Sequence, residues 1–172
     1  MISYLLILAG AIARFLPHLP NFTPIGALAL FGGTKLSNKY AAILIPVATM
    51  AVTDFYLGFH KLIFFTWGSM ALVALIGFWV RKNYGFSRIA AGTLAGSILF
   101  FFVTNFGVYL EGWYGYGFSG LTQAYIMAIP FFRNSLMGDI FFSAVFFGSY
   151  ELAVYFNKKY IKYKLLKQTV IN

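Results

Sequence analysis

The sequence predicts an all-α protein: a six-helix transmembrane bundle forming a single integral membrane domain over residues 1–172. Three observations predict it. Of the 172 residues, 60% are hydrophobic and only 10% are charged, where a soluble domain carries about 25% charged residues. The apolar residues come in runs near the roughly 20 residues that cross a bilayer core at about 1.5 Å per residue. The basic residues fall between those runs, on alternate connections.

The first run is Ile2 to Leu16, a somewhat short helix that lacks the basic leader of a secretory signal. Pro17 to Pro24 follows, with three prolines in eight residues. It reads as a stiff non-helical connector. The second run, from about Pro24 to Phe31 and ending at Gly32-Gly33, is too short to cross alone. Either the connector adds membrane depth or this segment is broken or reentrant, and such backbone is tolerated only beside protein or a cavity. The third run is Tyr40 to Gly58, with Pro46 inside and Asp54 near its end. The fourth is Leu62 to Val80 and the fifth Ile89 to Leu110. A Gly and aromatic loop covers Glu111 to Phe118, and Tyr125 to Pro130 reads as a short interfacial helix. The sixth run is about Asn134 to Phe156, followed by a basic tail from about residue 157. Trp67, Trp79 and Trp113 suit interfacial belts.

Orientation follows from charge. With six spans, ten of the thirteen Lys and Arg residues fall on one side, among them Lys35, Arg81, Arg88 and the tail lysines; Arg14, Lys61 and Arg133 fall on the other. The positive-inside rule then places both termini in the cytoplasm. The expected location is a bacterial inner membrane, with the lipid bilayer as the first partner. The net charge of +9 reads as this topology signal and attraction to anionic lipid, not as nucleic-acid binding, since no basic stripe exists outside the connections and tail. With no Cys, thiolate nucleophiles, thiolate metal sites and disulfides are excluded. No P-loop, GxSxG, GxGxxG or HExxH pattern is present, so neither ATP hydrolysis nor a zinc-hydrolase signature is expected, and no cofactor is implied.

Costly polar groups mark the candidate site. Asp54 and Asp139 lie in apolar runs, where a carboxylate costs at least about 2.5–3.5 kcal/mol at mid-helix. Arg14 and Arg133 could close ion pairs with them or grip an anionic substrate. His18 and His60, the only histidines, fall on the outer connections and could ligate a metal-bearing substrate. Asn105 needs a hydrogen-bond partner within its helix bundle or faces a cavity with Tyr109. Asn21 and Asn134 are similar, and an outer-end aromatic such as Trp67 could stack on a flat ligand. Ala9 and Ala13 share one helical face, a small-xxx-small patch that suits close helix packing inside the chain or docking onto a separate membrane subunit.

The run Arg14-Phe15-Leu16-Pro17-His18-Leu19-Pro20-Asn21-Phe22-Thr23-Pro24, with Ala29-Leu30-Phe31-Gly32-Gly33 and Phe131-Phe132-Arg133-Asn134-Ser135-Leu136-Met137-Gly138-Asp139, resembles a bacterial family of uncharacterised proteins assigned to transport. More loosely, the order of Ala9-x-x-x-Ala13, the Pro connector, Thr53-Asp54 with Gly58, a Trp helix and a late Asn helix is similar to the substrate-binding S components of energy-coupling factor (ECF) vitamin transporters. The resemblance implies six helices and a site opening outward under the 1–2, 3–4 and 5–6 loops. It also implies docking of Ala9 and Ala13 against a transmembrane coupling subunit that works with two ATPases. Some solitary relatives take up cobalamin through a Cys near the outer end of helix 3. This chain has none, and His60 lies near that place.

The expected function is therefore uptake of a vitamin-like micronutrient, with cobalamin or a related corrinoid among the candidates. Arg14, His18, Asn21, Asp54, His60, Trp67, Asn105, Tyr109, Arg133, Asn134 and Asp139 form the expected substrate shell. His60 or His18 is the candidate cobalt ligand, and no resident metal is expected. The rival reading is an intramembrane enzyme on a lipid or isoprenoid, with Asp54 and Asp139 as acid/base groups or Mg²⁺ ligands.

Overall fold

The computed structural model describes residues 2–17 and 19–171, with side chains through Ile161. The described residues form seven helices: α1 (Ile2–Ala13), α2 (Ile25–Lys35), α3 (Lys39–Leu57), α4 (Ile63–Lys82), α5 (Phe86–Leu110), α6 (Gly117–Ile126) and α7 (Ile129–Ile171), with no strand among them. Four are long and apolar enough to cross a membrane: α3, α4, α5 and the stretch Ile129–Ile161 of α7. Apolar side chains cover their outward faces, Phe64 being 87% and Phe86 86% exposed. Water would penalise that surface and hydrocarbon does not. The protein is a multi-pass membrane protein.

The organising element is the short α2. Its 11 residues reach only about 17 Å, yet nine of them are buried. Leu28, Leu30 and Phe31 are almost wholly enclosed, and Phe31 meets Phe147 of α7 edge-on at 5.2 Å. Against α4 the approach is made by glycine: a Cβ on Gly77 would lie 2.7 Å from the Gly33 Cα, and one on Gly33 would strike the Ala74 carbonyl. With no hydrophobic effect to drive helices together in lipid, such backbone-level contact is the main source of adhesion.

A half-length helix inside a bilayer leaves orphan N–H and C=O groups where water cannot reach them. Here side chains of complementary charge meet both ends. At the N-terminus the Asp139 carboxylate of α7 accepts from the Ala27 backbone N–H. At the C-terminus Arg81 of α4 donates through Nε to the Thr34 carbonyl at 3.0 Å and through Nη2 to the Gly33 and Leu36 carbonyls. Each charge has the sign that the helix dipole favours at that end. Serine and threonine hydroxyls elsewhere, such as Thr34, Thr53 and Thr104, bond carbonyls one turn back in their own helices, which satisfies them without a partner helix.

Helix boundaries shift from the sequence reading in several places, α5 starting at Phe86 and α7 at Ile129 among them. α2 runs through Gly32-Gly33 to Lys35, because packing on α4 outweighs the low helix propensity of glycine. α1 stops at Ala13, three residues early, where the turn toward Pro17 begins. The short helix between α5 and α7 is Gly117–Ile126, not Tyr125 to Pro130; Pro130 sits in the first turn of α7, where its missing N–H costs nothing. The basic tail is no separate segment: α7 continues unbroken to Ile171, there being no Gly or Pro after Gly148 to stop it.

The connections gather at two ends. At one, Lys35 pairs with Glu151 at 3.0 Å, Tyr84 donates to the same carboxylate at 2.6 Å, and the Lys35 ammonium lies over the Tyr84 and Tyr150 rings. At the other, Arg14 meets Asp54 and Lys61 stands 3.8 Å from Glu111. The α1–α2, α3–α4 and α5–α6 connections thus share one end of the bundle.

Candidate functional site

Asp54 lies in the last turn of α3, where the helix dipole disfavours a carboxylate, and it is only 2% exposed. Arg14, just past α1, offsets that charge: its Nη2 donates to Asp54 Oδ1 at 2.5 Å. Trp67 of α4 donates Nε1 to Oδ2 at 2.8 Å, and His60 Nε2 stands 3.7 Å from the same oxygen. The other Arg14 Nη contacts the Met50 sulfur. Three elements and a loop are thereby tied at one mouth, and Arg14 and His60 are held beside a cavity.

The cavity has two chambers. The lower, of about 160 Å³, is lined by Arg14, Asn21, Thr23, Gly26, Met50, His60, Thr66, Met70, Ser135 and Asp139. The upper, of about 370 Å³, is lined by Asn21, His60, Thr66, Phe101, Thr104, Asn105, Trp113, Tyr114, Phe131, Phe132 and Ser135. Asn21, His60, Thr66, Phe100 and Ser135 belong to both, so the chambers are adjacent and share a wall. The irregular connector supplies part of the wall, as backbone off a regular helix at such depth requires. Asn21 takes a left-handed turn there, φ 62°, and the chain lies so close to α7 that a Cβ on Gly138 would meet the Phe22 Cα at 3.2 Å.

Chemically the space is graded. Arg14 and His60 line one wall of the lower chamber, and Asp139 lines it as well. Ser97 donates to Asp139 Oδ2 at 2.6 Å, and Gly26 leaves room that a Cβ would take from the carboxylate. The upper chamber is mainly apolar, with six aromatic rings in its wall and the amides of Asn21 and Asn105; the Asn105 Nδ2 bonds the Phe101 carbonyl of its own helix at 2.7 Å. An aromatic or apolar body with one polar end fits this arrangement.

Not every expected residue comes to the cavity. Arg14, Asn21, His60, Asn105 and Asp139 line it. Asp54 and Trp67 stand behind the wall and hold Arg14. Tyr109 packs on Phe106 and Tyr116 instead. Arg133 and Asn134 border a separate shallow groove with Ile129, Pro130 and Met137, and Asn134 donates to the Pro20 carbonyl at 3.1 Å. The neighbour Ser135 is the residue that turns inward, since successive helical residues point about 100° apart. His18 lies outside the described residues. Ala9 is exposed between Leu8 and Ile12, which are also exposed, while Ile7 and Gly10 are the buried positions of α1. Thr66, Met50, Met70 and Ser135 line the cavity with no sequence signal to mark them. Thr66 and Ser135 each stood beside a residue already singled out, Trp67 and Asn134.

A family model described as a family of unknown function (DUF6580) matches residues 1–164. The chain belongs to the DUF6580 family. Comparison of this DUF6580 chain with curated proteins and with solved structures found no match.

Proposed function

We propose that the protein is an uptake protein of the bacterial inner membrane that binds a vitamin-like micronutrient in the two-chamber cavity. The observation that carries this reading is the convergence of polar groups from separate segments on one blind space. Arg14, Asn21, His60, Asn105, Ser135 and Asp139 surround it, while toward the other end α2 and α4 meet backbone to backbone at Gly33 and Gly77. A site open at one end and sealed by packing at the other supports alternating exposure and argues against a passive pore.

The charge distribution supports placing the cavity mouth outside and the Lys35, Arg81 and Arg88 end in the cytoplasm. On that reading the bundle is six-pass, with both termini inside, and α1 and α2 cross with help from the connector. The α1 face that carries the exposed Ala9 and the half-buried Ala13 is then a surface for a transmembrane coupling subunit serving ATPases, as in the S components the sequence resembles, or faces lipid in a solitary carrier. The upper chamber, of about 370 Å³, has the volume of a small-molecule site and favours a compact vitamin over a whole corrinoid, for which His60 would be the cobalt ligand. The enzyme reading finds less support: both Asp54 oxygens are committed to Arg14 and Trp67, so no pair of free carboxylates faces one substrate.

Native mass spectrometry of the detergent-purified chain tests the proposal. The wild type and Arg133→Ala should retain the same small molecule, and Asn105→Ala with Ser135→Ala should lose it. Equal retention in all three would remove the cavity from consideration.

A further inference from the structure

The chain has four acidic residues. Asp54 pairs with Arg14, Glu111 with Lys61 and Glu151 with Lys35. Asp139 has no cationic partner among the described residues. It is also set in the middle of the bundle, where a lone charge is most costly. Its two protein neighbours, the Ser97 hydroxyl at 2.6 Å and the Ala27 N–H, are donors. They orient the carboxylate without balancing its charge.

Beside it is a small cavity of about 10 Å³, bounded by Asp139, Thr93 and Ser143 together with Gly26, Gly92 and Gly96. That is about the room of one water-sized particle. Thr93 Oγ1 donates to Ser143 Oγ at 3.0 Å, which fixes both hydroxyl oxygens at the cavity wall. Two of the glycines face lining side chains at close range: a Cβ on Gly26 would strike Asp139 Oδ1 and one on Gly96 would meet Val73 at 3.2 Å.

We propose that Asp139, Thr93 and Ser143 form a binding site for a monovalent hard cation of the Na⁺ class. The donors are all oxygen, the set that hard cations prefer. One carboxylate balances one positive charge, which selects a monovalent over a divalent ion. A proton would need no cavity; a Na⁺ ion does. No titratable or charged side chain reaches this cavity from α2, α4 or α5, whose contributions are Gly26, Ala27, Leu30, Val73, Gly92, Thr93 and Gly96. Arg14 and His60 are the charged or titratable groups that share the lower chamber with Asp139. Because Asp139 lines both spaces, the ion would sit directly beneath the cavity. The site stands independently of what the cavity carries.

The test is thermal unfolding of the full-length protein in detergent, titrated with NaCl against N-methylglucamine chloride at constant ionic strength and at two pH values. The expected result is a saturable upward shift of the midpoint with Na⁺, lost in Asp139→Asn and weakened in Ser143→Ala. Ser143→Ala keeps the test decisive if Asp139→Asn does not fold. Three results would overturn the proposal: no Na⁺ effect in the wild type, an equal Na⁺ effect in Ser143→Ala, or stabilisation of the wild type by acid alone.

Discussion

Removing Arg14 breaks the most deeply buried ion pair among the described residues. In Arg14→Leu, Asp54 stays 2% exposed and loses the guanidinium that approaches it at 2.5 Å. The charge-assisted hydrogen bond alone is worth about 1.5–3 kcal/mol. An uncompensated buried carboxylate brings such losses to about 3–5 kcal/mol. The Trp67 N–H still donates at 2.8 Å, and His60 lies 3.7 Å away to take up part of the charge once protonated. The loss should therefore fall at the low end, about 3 kcal/mol. Arg14→Leu combined with Asp54→Leu removes both charges and should cost only about 1 kcal/mol, since apolar replacement of a buried pair is often close to neutral. Arg133→Leu, at an exposed arginine in the outer groove, should stay within about 0.5 kcal/mol. Reversible unfolding in mixed micelles, followed by far-UV circular dichroism, supplies the free energies of the wild type, Arg14→Leu, Asp54→Leu, the double variant and Arg133→Leu. Additivity of the two single substitutions to within about 0.5 kcal/mol, or a loss below about 1 kcal/mol for Arg14→Leu, would refute the argument that the pair closes the mouth.

Two further outcomes follow from the opposite half of the molecule. Gly77→Ala drives a methyl against the Gly33 Cα and should lower stability by about 1–3 kcal/mol or more, whereas Gly148→Ala, with open space around it, should gain about 0.5–1 kcal/mol from helix propensity; equal effects in micelle unfolding would mean that α2 and α4 do not touch there. For Tyr84, burial and the Glu151 carboxylate beside it push the phenol pKa above its ordinary value. The folded state then holds the proton longer than the unfolded chain, so this contribution is intact below about pH 10 and fades as pH climbs through the folded value. Ultraviolet difference titration against Tyr84→Phe should show late ionisation of this phenol, moved toward the ordinary value by Glu151→Gln; an unmoved midpoint would separate Tyr84 from Glu151.

Much of the architecture was legible in the sequence because hydrocarbon imposes a simple rule: apolar length and the placement of charge. The four long helices, the irregular Pro17 to Pro24 connector and the grouping of the outer connections all follow from it. Arg14, Asn105 and Asp139 could be named because a polar group in an apolar run is costly wherever it points; Asn21 and His60 stood out as polar residues on the connections of one end. What sequence could not supply was direction and partnership. Whether Arg133 or Ser135 turns inward depends on the rotation of α7 about its axis, which its neighbours set. That Asp54 belongs to Arg14, 40 residues earlier, and that Asp139 and Arg81 clamp opposite ends of α2, depend on which helices pack together. Chain order does not encode those distances locally; the glycine contact of α2 on α4 and the need to satisfy every polar group away from water decide them.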